Sequence, residues 1–266
     1  MLKTAADIHE FLNALPVSEN YLCNYLEDQI ATQQNFYWPN TYAPMPSAFY
    51  QILMDNHFRR SGRLFYRPQC QACQQCMPLR IDLNHFELTS SQKRVLKKNK
   101  RVRTQWNTPA LTEEKLNLYI KYQQHRHQKY ESINTFNQDT KSEIEDSDKN
   151  FAREDLFNFL YDSPTSTLET CYYIDTQLVA IGICDLTPSC LSSVYFYFDP
   201  DYHQQSLGVF SALCEMQYAK TTLHLPYYYL GYYIPQCKKM SYKALFGPHE
   251  LLIGDTWVHQ QTPLHL

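Results

Sequence analysis

Two apolar runs joined by a short polar turn constrain the fold of this chain most strongly. Residues 170–174 and 178–184 are almost wholly apolar and only three residues separate them, which predicts two paired β-strands. The elements predicted after them are a strand at 192–198, a helix at 206–221, a strand at 227–230, a short helix at 238–246 and a strand at 250–253. A run of strands followed by alternating helices and strands predicts an α/β (α+β) sandwich.

The first half of the chain mixes strand and helix patterns. Apolar residues alternate along 77–83, which predicts a half-buried strand, and helical spacing is found at 111–130 and again at 151–161. The polar stretch 131–150 is predicted to be a mobile loop or linker. We therefore expect three parts, which are an N-terminal cysteine-containing and basic α/β part at 1–110, a helix and linker at 111–150, and a C-terminal domain at 151–266.

Three cysteines stand at strict three-residue spacing, Cys70, Cys73 and Cys76. Thiolates at this spacing suit zinc or an iron–sulfur cluster, with Cys23 as a fourth ligand. The alternative is a set of plain thiols, because the usual zinc pattern separates two cysteine pairs more widely. The nine cysteines are an odd number, which argues against a disulfide framework.

A basic segment follows the cysteines. Residues 93–103 contain no acidic side chain and seven cations, Lys93, Arg94, Lys97, Lys98, Lys100, Arg101 and Arg103. The whole chain carries a formal net charge of −3, so any attraction to nucleic acid must come from such a local patch. We interpret the segment as the end of a helix that contacts phosphates, and the alternative is an ordinary solvated helix face.

The chain has no apolar run of about 18 residues or more, so no membrane span is predicted. Its first twenty residues lack the continuous apolar core of a signal peptide. We expect a cytoplasmic protein with reduced thiols and no membrane partner.

Several motifs in a fixed order resemble those of the aminoacyl-tRNA–protein transferases. They are Tyr-Arg-Pro-Gln-Cys-x-x-Cys-x-x-Cys at 66–76, Ser-Gln-Lys-Arg at 91–94, Ser-Val-Tyr-Phe-Tyr-Phe-Asp-Pro-Asp at 193–201, Ser-Leu-Gly at 206–208, Tyr-Leu-Gly-Tyr-Tyr-Ile at 229–234 and Cys-Lys-Lys-Met-x-Tyr-Lys at 237–243. The similarity covers roughly residues 20–260, and the layout is most similar to the bacterial aspartate/glutamate leucyltransferases.

This resemblance implies both a reaction and a fold. A leucyl or similar aminoacyl group would pass from its tRNA ester to the free α-amine of a protein that begins with Asp or Glu, and the product would enter the N-degron route of proteolysis. No cofactor is needed for that chemistry. The fold implied for the C-terminal half is similar to the acetyltransferase-like (GNAT) fold.

Candidate catalytic residues lie at the ends of the predicted strands. Asp199 would orient or deprotonate the acceptor amine, and Tyr197, two residues earlier, would share its face. Tyr232, just after Gly231, would donate a hydrogen bond to the ester oxygen. The alternatives are a turn aspartate and tyrosines that simply pack.

Recognition of an acidic acceptor requires a cation, because a buried carboxylate must be paired. Arg80 is the first candidate, since it lies on the polar face of the strand beside the cysteines. Lys239 and Lys243, one helical turn apart, are the second. Each of these has the alternative of being a solvated surface charge.

Three other functions remain open. An arginyl donor would require an acid in the aminoacyl pocket. An acetyltransferase that uses acetyl-CoA is disfavoured, because Phe210 replaces a small residue of the loop that would cradle the pyrophosphate. A non-catalytic, metal-stabilised RNA-binding module would leave the C-terminal motifs without a purpose.

Overall fold

The computed structural model describes residues 5–130, 133 and 143–260. The predicted loop at 131–150 is wrong in its last eight residues, because a helix already begins at Glu143. The remainder of that loop, residues 131–132 and 134–142, lies outside the described residues.

The helices are short to medium in length. In chain order they are α1 Ala5–Asn13, α2 Ser47–Asp55, α3 Ser90–Lys98, α4 Glu113–His127, α5 Glu143–Leu156, α6 Leu207–Thr221 and α7 Lys238–Ser241. A π-helical turn, Phe157–Tyr161, continues α5, and 3₁₀ turns lie at Pro200–Gln205 and Tyr242–Leu245.

Among the described residues, the strands form one large sheet and two small ones. In chain order they are β1 Tyr21–Leu22, β2 Ile30–Ala31, β3 Gln33–Tyr37, β4 Arg59–Ser61, β5 Leu64–Pro68, β6 Met77–Asp82, β7 Val102–Asn107, β8 Thr167–Ile174, β9 Gln177–Leu186, β10 Cys190–Phe198, β11 Tyr227–Tyr233, β12 His249–Ile253 and β13 Thr256–Gln260. The large sheet has the order β13-β12-β6-β11-β10-β9-β8-β7, and a second sheet has the order β3-β5-β4. The predicted α/β class is therefore confirmed.

Strand β9 is the centre of the large sheet, and residues 178–185 are buried without interruption. One face of the sheet packs against α6, and the other packs against α4 and α5. A strand that is covered on both faces requires apolar residues at successive positions, so β9 could be recognised from its continuous apolar run in the sequence.

A buried carboxyl group fixes α6 to the sheet. Glu215 accepts hydrogen bonds from the hydroxyls of Tyr228 at 2.5 Å and Ser211 at 2.6 Å. Gly182 leaves the space for it, since a Cβ at that position would lie 2.6 Å from Glu215 Oε1. Burial raises the pKa of Glu215.

The cysteine-containing part packs against the large sheet, as predicted. The sheet β3-β5-β4 and helix α2 share a core with Cys190 and Tyr229 of the large sheet. A fully buried ion pair adds to this contact, with Arg60 Nε 2.6 Å from Asp185 Oδ2 on β9. Because an unpaired buried charge is costly, this pair makes the packing of β4 on β9 specific.

The predicted boundary near residue 110 stays a prediction. Strands β6 and β7 lie before that residue, yet β6 pairs with β11 and β12, and β7 pairs with β8. The large sheet thus takes strands from both sides of the boundary.

None of the helices in the described ranges has the length and apolarity needed to cross a bilayer.

Candidate active site

The candidate site is an opening between two parallel strands. Strands β10 and β11 pair only from Cys190 opposite Tyr227 to Ser192 opposite Tyr229, although both strands continue further. Each strand has a bulge directly after this point, in its pairing with the neighbour on its other side. We call the region beyond the last paired residues the strand opening. Backbone groups beyond this point have no partner in a β10–β11 ladder and must find other hydrogen-bond partners.

Gly231 lies at the β11 side of the strand opening with φ of +84°, a conformation that favours glycine. A Cβ at this position would lie 3.3 Å from Lys243 Nζ and 3.7 Å from Arg59 Nη2. Glycine therefore allows two cationic side chains to approach the strand closely.

These two side chains, Arg59 and Lys243, form what we call the cation pair. Arg59 donates to Ser192 Oγ at 2.8 Å and to the carbonyl oxygen of Ser193, and Lys243 Nζ donates to the carbonyl oxygen of Tyr232 at 2.8 Å. Arg59 is 8 % exposed and Lys243 is 7 % exposed.

The cation pair lacks a counter-ion. Among the described residues, neither Arg59 nor Lys243 has a carboxylate within ion-pair distance. Burial, and then the charge of Arg59, lower the pKa of Lys243 to about 7. Buried cations without an anion are unfavourable unless a ligand supplies one, so this geometry suits a bound carboxylate.

Lys243 is the predicted acceptor residue that the structure brings into the strand opening. Lys239 is exposed on α7. The pKa of His127 is lowered first by burial, then by the charges of Arg126 and Lys129, and to a smaller extent by the charge of Lys239. Lys239 therefore lies at the rim, near the end of α4.

Arg80 is engaged elsewhere. Its Nε lies 2.6 Å from Glu250 Oε2, and its guanidinium lies 3.8 Å from the ring centroid of Tyr227 and 4.1 Å from that of Trp257. Arg80 therefore already has Glu250 as its counter-ion, and its contacts do not include Arg59 or Lys243. Its role in acceptor binding stays a prediction.

The three predicted catalytic residues do not converge. Tyr197 is fully buried against Tyr119, with ring centroids 5.5 Å apart. Tyr232 borders the strand opening, but its hydroxyl donates to the carbonyl oxygen of His57 at 2.6 Å, and burial raises its pKa.

Asp199 ends β10 and is 4 % exposed. Its carboxylate accepts from the backbone N–H of Asp201 at 3.0 Å and lies 2.6 Å from Lys121 Nζ. The contact with the backbone of Asp201 caps the following 3₁₀ turn. Asp199 thus has the structural role of a turn aspartate, which was the alternative to a catalytic role. The catalytic roles of all three residues stay predictions.

The seven cations at 93–103, which we call the basic arm, are all exposed. They do not lie on one helix as expected. Helix α3 ends at Lys98, with Asn99 as its C-cap, and Arg103 lies on β7 over the ring of Tyr173. The helix begins with a capping box formed by Thr89 and Gln92.

The basic arm ends beside the start of α6. Lys98 Nζ donates to the carbonyl oxygen of Gln204 at 2.7 Å, and Asn99 Nδ2 donates to that of Gln205 at 2.8 Å. Of the seven cations, Arg101 has an ion pair within the described residues, with Asp175. The arm therefore presents positive charge near the end of β10 and is free to contact phosphates.

Phe210 does not occupy the loop before α6, contrary to our expectation. It is 6 % exposed and packs against Tyr172 beneath the helix. A Cβ on Gly208 would approach only the ring of Phe196, at 3.9 Å. Crowding by Phe210 is thus no reason to exclude acetyl-CoA.

The four candidate metal ligands, Cys23, Cys70, Cys73 and Cys76, line one cavity of about 410 Å³. Burial, and then the other three thiols, raise the pKa of Cys76 to about 12. Four thiols are a donor set that fits zinc or an iron–sulfur cluster. Their present spacing does not close a ligand sphere, since no group of three or more His, Cys, Asp or Glu side chains in the described residues is placed to hold an ion.

Sequence reasoning missed the position of Arg59. Arg59 and Arg60 are adjacent basic residues in the sequence, but their side chains have different partners. Arg60 is neutralised by Asp185, whereas Arg59 turns to the strand opening. Only the alternation of strand β4 would have separated the two.

Comparisons with known proteins identify the family. The model for the arginine-tRNA-protein transferase N terminus matches residues 21–94, and the model for the C terminus of the same family matches residues 114–253. The chain therefore belongs to the arginine-tRNA-protein transferase family, an enzyme family.

Curated relatives agree with this assignment. The chain is 37 % identical over 242 residues to the aspartate/glutamate leucyltransferase of Pseudomonas savastanoi pv. phaseolicola, covering 91 % of this chain and 94 % of the relative. It is 36 % identical over 248 residues to the protein of the same name from Stutzerimonas stutzeri, with the same coverage of 91 % and 94 %.

Solved structures resemble the chain more distantly. A tandem GNAT protein from the clavulanic acid biosynthesis pathway has a TM-score of 0.36 at 7 % identity, covering 74 % of this chain and 54 % of that chain. L-PGS from Bacillus licheniformis has a TM-score of 0.39 at 12 % identity, covering 75 % and 52 %.

Proposed function

We propose that this enzyme transfers a leucyl group from leucyl-tRNA to the free α-amine of proteins that begin with Asp or Glu. The observation that carries the proposal is the cation pair, two buried basic side chains beside Gly231 without a described counter-ion. The names of the curated relatives, aspartate/glutamate leucyltransferases, support both the donor and the acceptor.

The cation pair would select the acceptor. A carboxylate of Asp or Glu in the strand opening would accept hydrogen bonds from Arg59 and Lys243 and would neutralise them. Binding of the anion favours the protonated form of Lys243, whose pKa is lowered to about 7 in the free enzyme. A neutral isostere such as Asn would leave the charge of Arg59 uncompensated and would not favour protonation of Lys243, so it should bind more weakly.

The chemistry is an aminolysis. The neutral acceptor amine attacks the ester carbonyl, the tetrahedral oxyanion collapses, and the ribose hydroxyl leaves as the amide forms. An α-amine has a pKa of about 7.7–8.0, so a useful fraction is neutral near pH 7.5 without a strong base. The catalytic contribution of the protein is then mainly the positioning of two substrates and the donation of hydrogen bonds to the oxyanion from strand backbone.

The basic arm would hold the tRNA. Its cations are exposed, and its end contacts the segment that leads from β10 into α6. Phosphate contacts of this kind add affinity without reading the base sequence. The polyanion would thereby be directed toward the end of β10 that borders the strand opening.

The cellular role follows from the product. A new N-terminal leucine would mark the acceptor for the N-degron route, and a supply of charged tRNA requires a cytoplasmic location.

The four cysteines would hold a soft metal or cluster in a structural role that closes the loop at 70–76. Metal analysis of protein purified without oxygen tests this role, for which about one equivalent per chain is expected and an apo protein is the contrary result.

A transfer assay tests the function. Labelled leucine is expected to move from leucyl-tRNA to peptides that begin with Asp or Glu, and not to the matched peptides that begin with acetyl-Asp or Asn. Arginyl-tRNA and acetyl-CoA serve as competing donors in parallel reactions. Transfer from either of them in place of leucyl-tRNA, or no transfer from any donor, contradicts the proposal.

A further inference from the structure

A cavity lined in part by residues of β4 and β10 is assigned to no function above. It has a volume of about 440 Å³. Its lining comes from α4, the α5 region, β4 and β10, and includes Ser61, Tyr119, His127, Lys129, Asp155 and Tyr195. We call it the amine pocket, for the reasons that follow.

The amine pocket takes lining residues from β4 and β10, the two strands that Arg59 joins. Ser61 lies two residues after Arg59 on β4, and Tyr195 lies two residues after Ser193, whose carbonyl oxygen accepts from Arg59. A ligand in the amine pocket would therefore be next to a carboxylate held by the cation pair.

One carboxylate lies within the amine pocket. Asp155 Oδ2 accepts hydrogen bonds from the hydroxyls of Tyr130 at 2.5 Å and Tyr119 at 3.4 Å. Among the described residues, Oδ1 has no hydrogen-bond donor, and Asp155 makes no ion pair. The two tyrosines orient the carboxylate and leave one oxygen for a cationic ligand.

The charges of the amine pocket are arranged by depth. Its rim carries the exposed side chains of His127 and Lys129, and the charges of Arg126 and Lys239 lie close to His127. Burial and these cations lower the pKa of His127, so that residue is mainly neutral near pH 7. The rim therefore attracts anions, whereas Asp155 attracts a cation.

An aminoacyl-tRNA has this same order of charges. Its 3′ end is a chain of phosphates that terminates in an ester with a free α-ammonium group. We infer that the amine pocket binds the aminoacyl end of the donor, with the rim cations on the terminal phosphates and Asp155 on the α-ammonium. This assignment rests on the proposed function, and it makes Asp155 a specificity residue for donors with an unblocked amine.

The test compares two donors that differ only at the α-position. Leucyl-tRNA carries the ammonium, and tRNA esterified with α-hydroxyisocaproate carries a hydroxyl on the same side chain. The acceptor is one Asp-starting peptide throughout. A hydrogen bond to a charged group corresponds to about a 10- to 100-fold change in kcat/KM, so the wild type is expected to prefer the leucyl donor by that factor.

The variant Asp155→Asn is expected to bring the two donors within about threefold of each other while the KM of the acceptor peptide stays unchanged. Glu154→Gln, an exposed neutral replacement at the adjacent position, is the matched control and should retain the wild-type preference. Tyr130→Phe removes one hydroxyl that orients Asp155 and should reduce the preference partially, which keeps the test valid if Asp155→Asn folds poorly.

Three results would overturn the inference. The first is an equal loss with both donors in Asp155→Asn, since a structural role would produce it. The second is a wild type without a donor preference. The third is an effect of Asp155→Asn on arginyl-tRNA alone, which would assign the carboxylate to a donor side chain. A wild type inactive with every charged tRNA would instead overturn the proposed function, and this subsite with it.

Discussion

Replacing Lys243 by methionine should stabilise the protein while it removes acceptor selection. Burial and Arg59 lower the pKa of Lys243 from the ordinary 10.5 to about 7. A pKa difference of one unit between the folded and the unfolded chain corresponds to about 1.36 kcal/mol. Holding this lysine charged at pH 6 therefore lowers the stability of the fold by on the order of 5 kcal/mol. Methionine avoids that cost but leaves the carbonyl oxygen of Tyr232 without its donor, a loss of about 1–3 kcal/mol. The expected net gain is about 3 kcal/mol.

The gain must depend on pH in one direction. Above pH 7 the folded wild type releases the proton of Lys243, whereas the unfolded chain keeps it up to about pH 10.5. The unfolded state then binds more protons, so the wild type becomes more stable as pH rises, by about 1.36 kcal/mol per unit. The advantage of Lys243→Met should therefore vanish by about pH 9.

Urea unfolding at pH 6, 7.5 and 9 measures this difference in the free energy of unfolding. The melting temperature at pH 6 should rise by roughly 9 °C, given about 2–4 °C per kcal/mol in a chain of this size. Lys238→Met changes an exposed lysine on the same helix and should have no such pH dependence. A Lys243→Met variant that is less stable than the wild type at pH 6, or equally affected at all three pH values, would refute the reasoning.

Three further predictions follow from the same structure. Changing three cations of the basic arm to Gln should reduce the slope of log K against log salt for tRNA binding by about 0.7–0.9 per phosphate contact, measured by filter binding, and an unchanged slope would contradict phosphate contact. Arg80→Gln should lower stability by about 1–3 kcal/mol through loss of its contact to Glu250, yet leave the preference for Asp over Asn peptides within about twofold; a lost preference would return Arg80 to the acceptor site. Asp185→Asn should destabilise by about 3–5 kcal/mol in denaturant unfolding, because it leaves Arg60 buried and unpaired, and a near-neutral effect would show that water or another group compensates the charge.

The central sheet was predictable because the burial of its strands is evident from short, continuous stretches of the sequence. Residues 178–184 form a continuous apolar run, and strand β9 lies in the middle of the sheet with both faces covered. The same holds for α6, predicted at 206–221 and observed at Leu207–Thr221. The edges were harder to predict. Strand β7 has no buried side chain, so its pairing with β8 leaves little apolar pattern in the sequence.

The parts of the candidate site depend on residues far apart in sequence. Lys243 was a predicted acceptor residue, but the strand opening beside it depends on where the pairing of β10 and β11 stops. Arg59 reaches that opening only because its neighbour Arg60 is bound by Asp185 of β9. Asp155 had no local signal at all, because the hydroxyls that orient it come from α4 and from Tyr130.

One measurement tests the central claim most directly, the dependence of acceptor choice on the cation pair. Leucyl transfer to a peptide that begins with Asp is compared with transfer to the same peptide beginning with Asn, for the wild type and for Lys243→Met. The wild type should prefer Asp by about 10- to 100-fold in kcat/KM, and Lys243→Met should lose most of that preference, since a charged hydrogen bond contributes about 1.5–3 kcal/mol. An Asp preference that survives in Lys243→Met at the wild-type level would contradict the claim that the cation pair selects the acceptor.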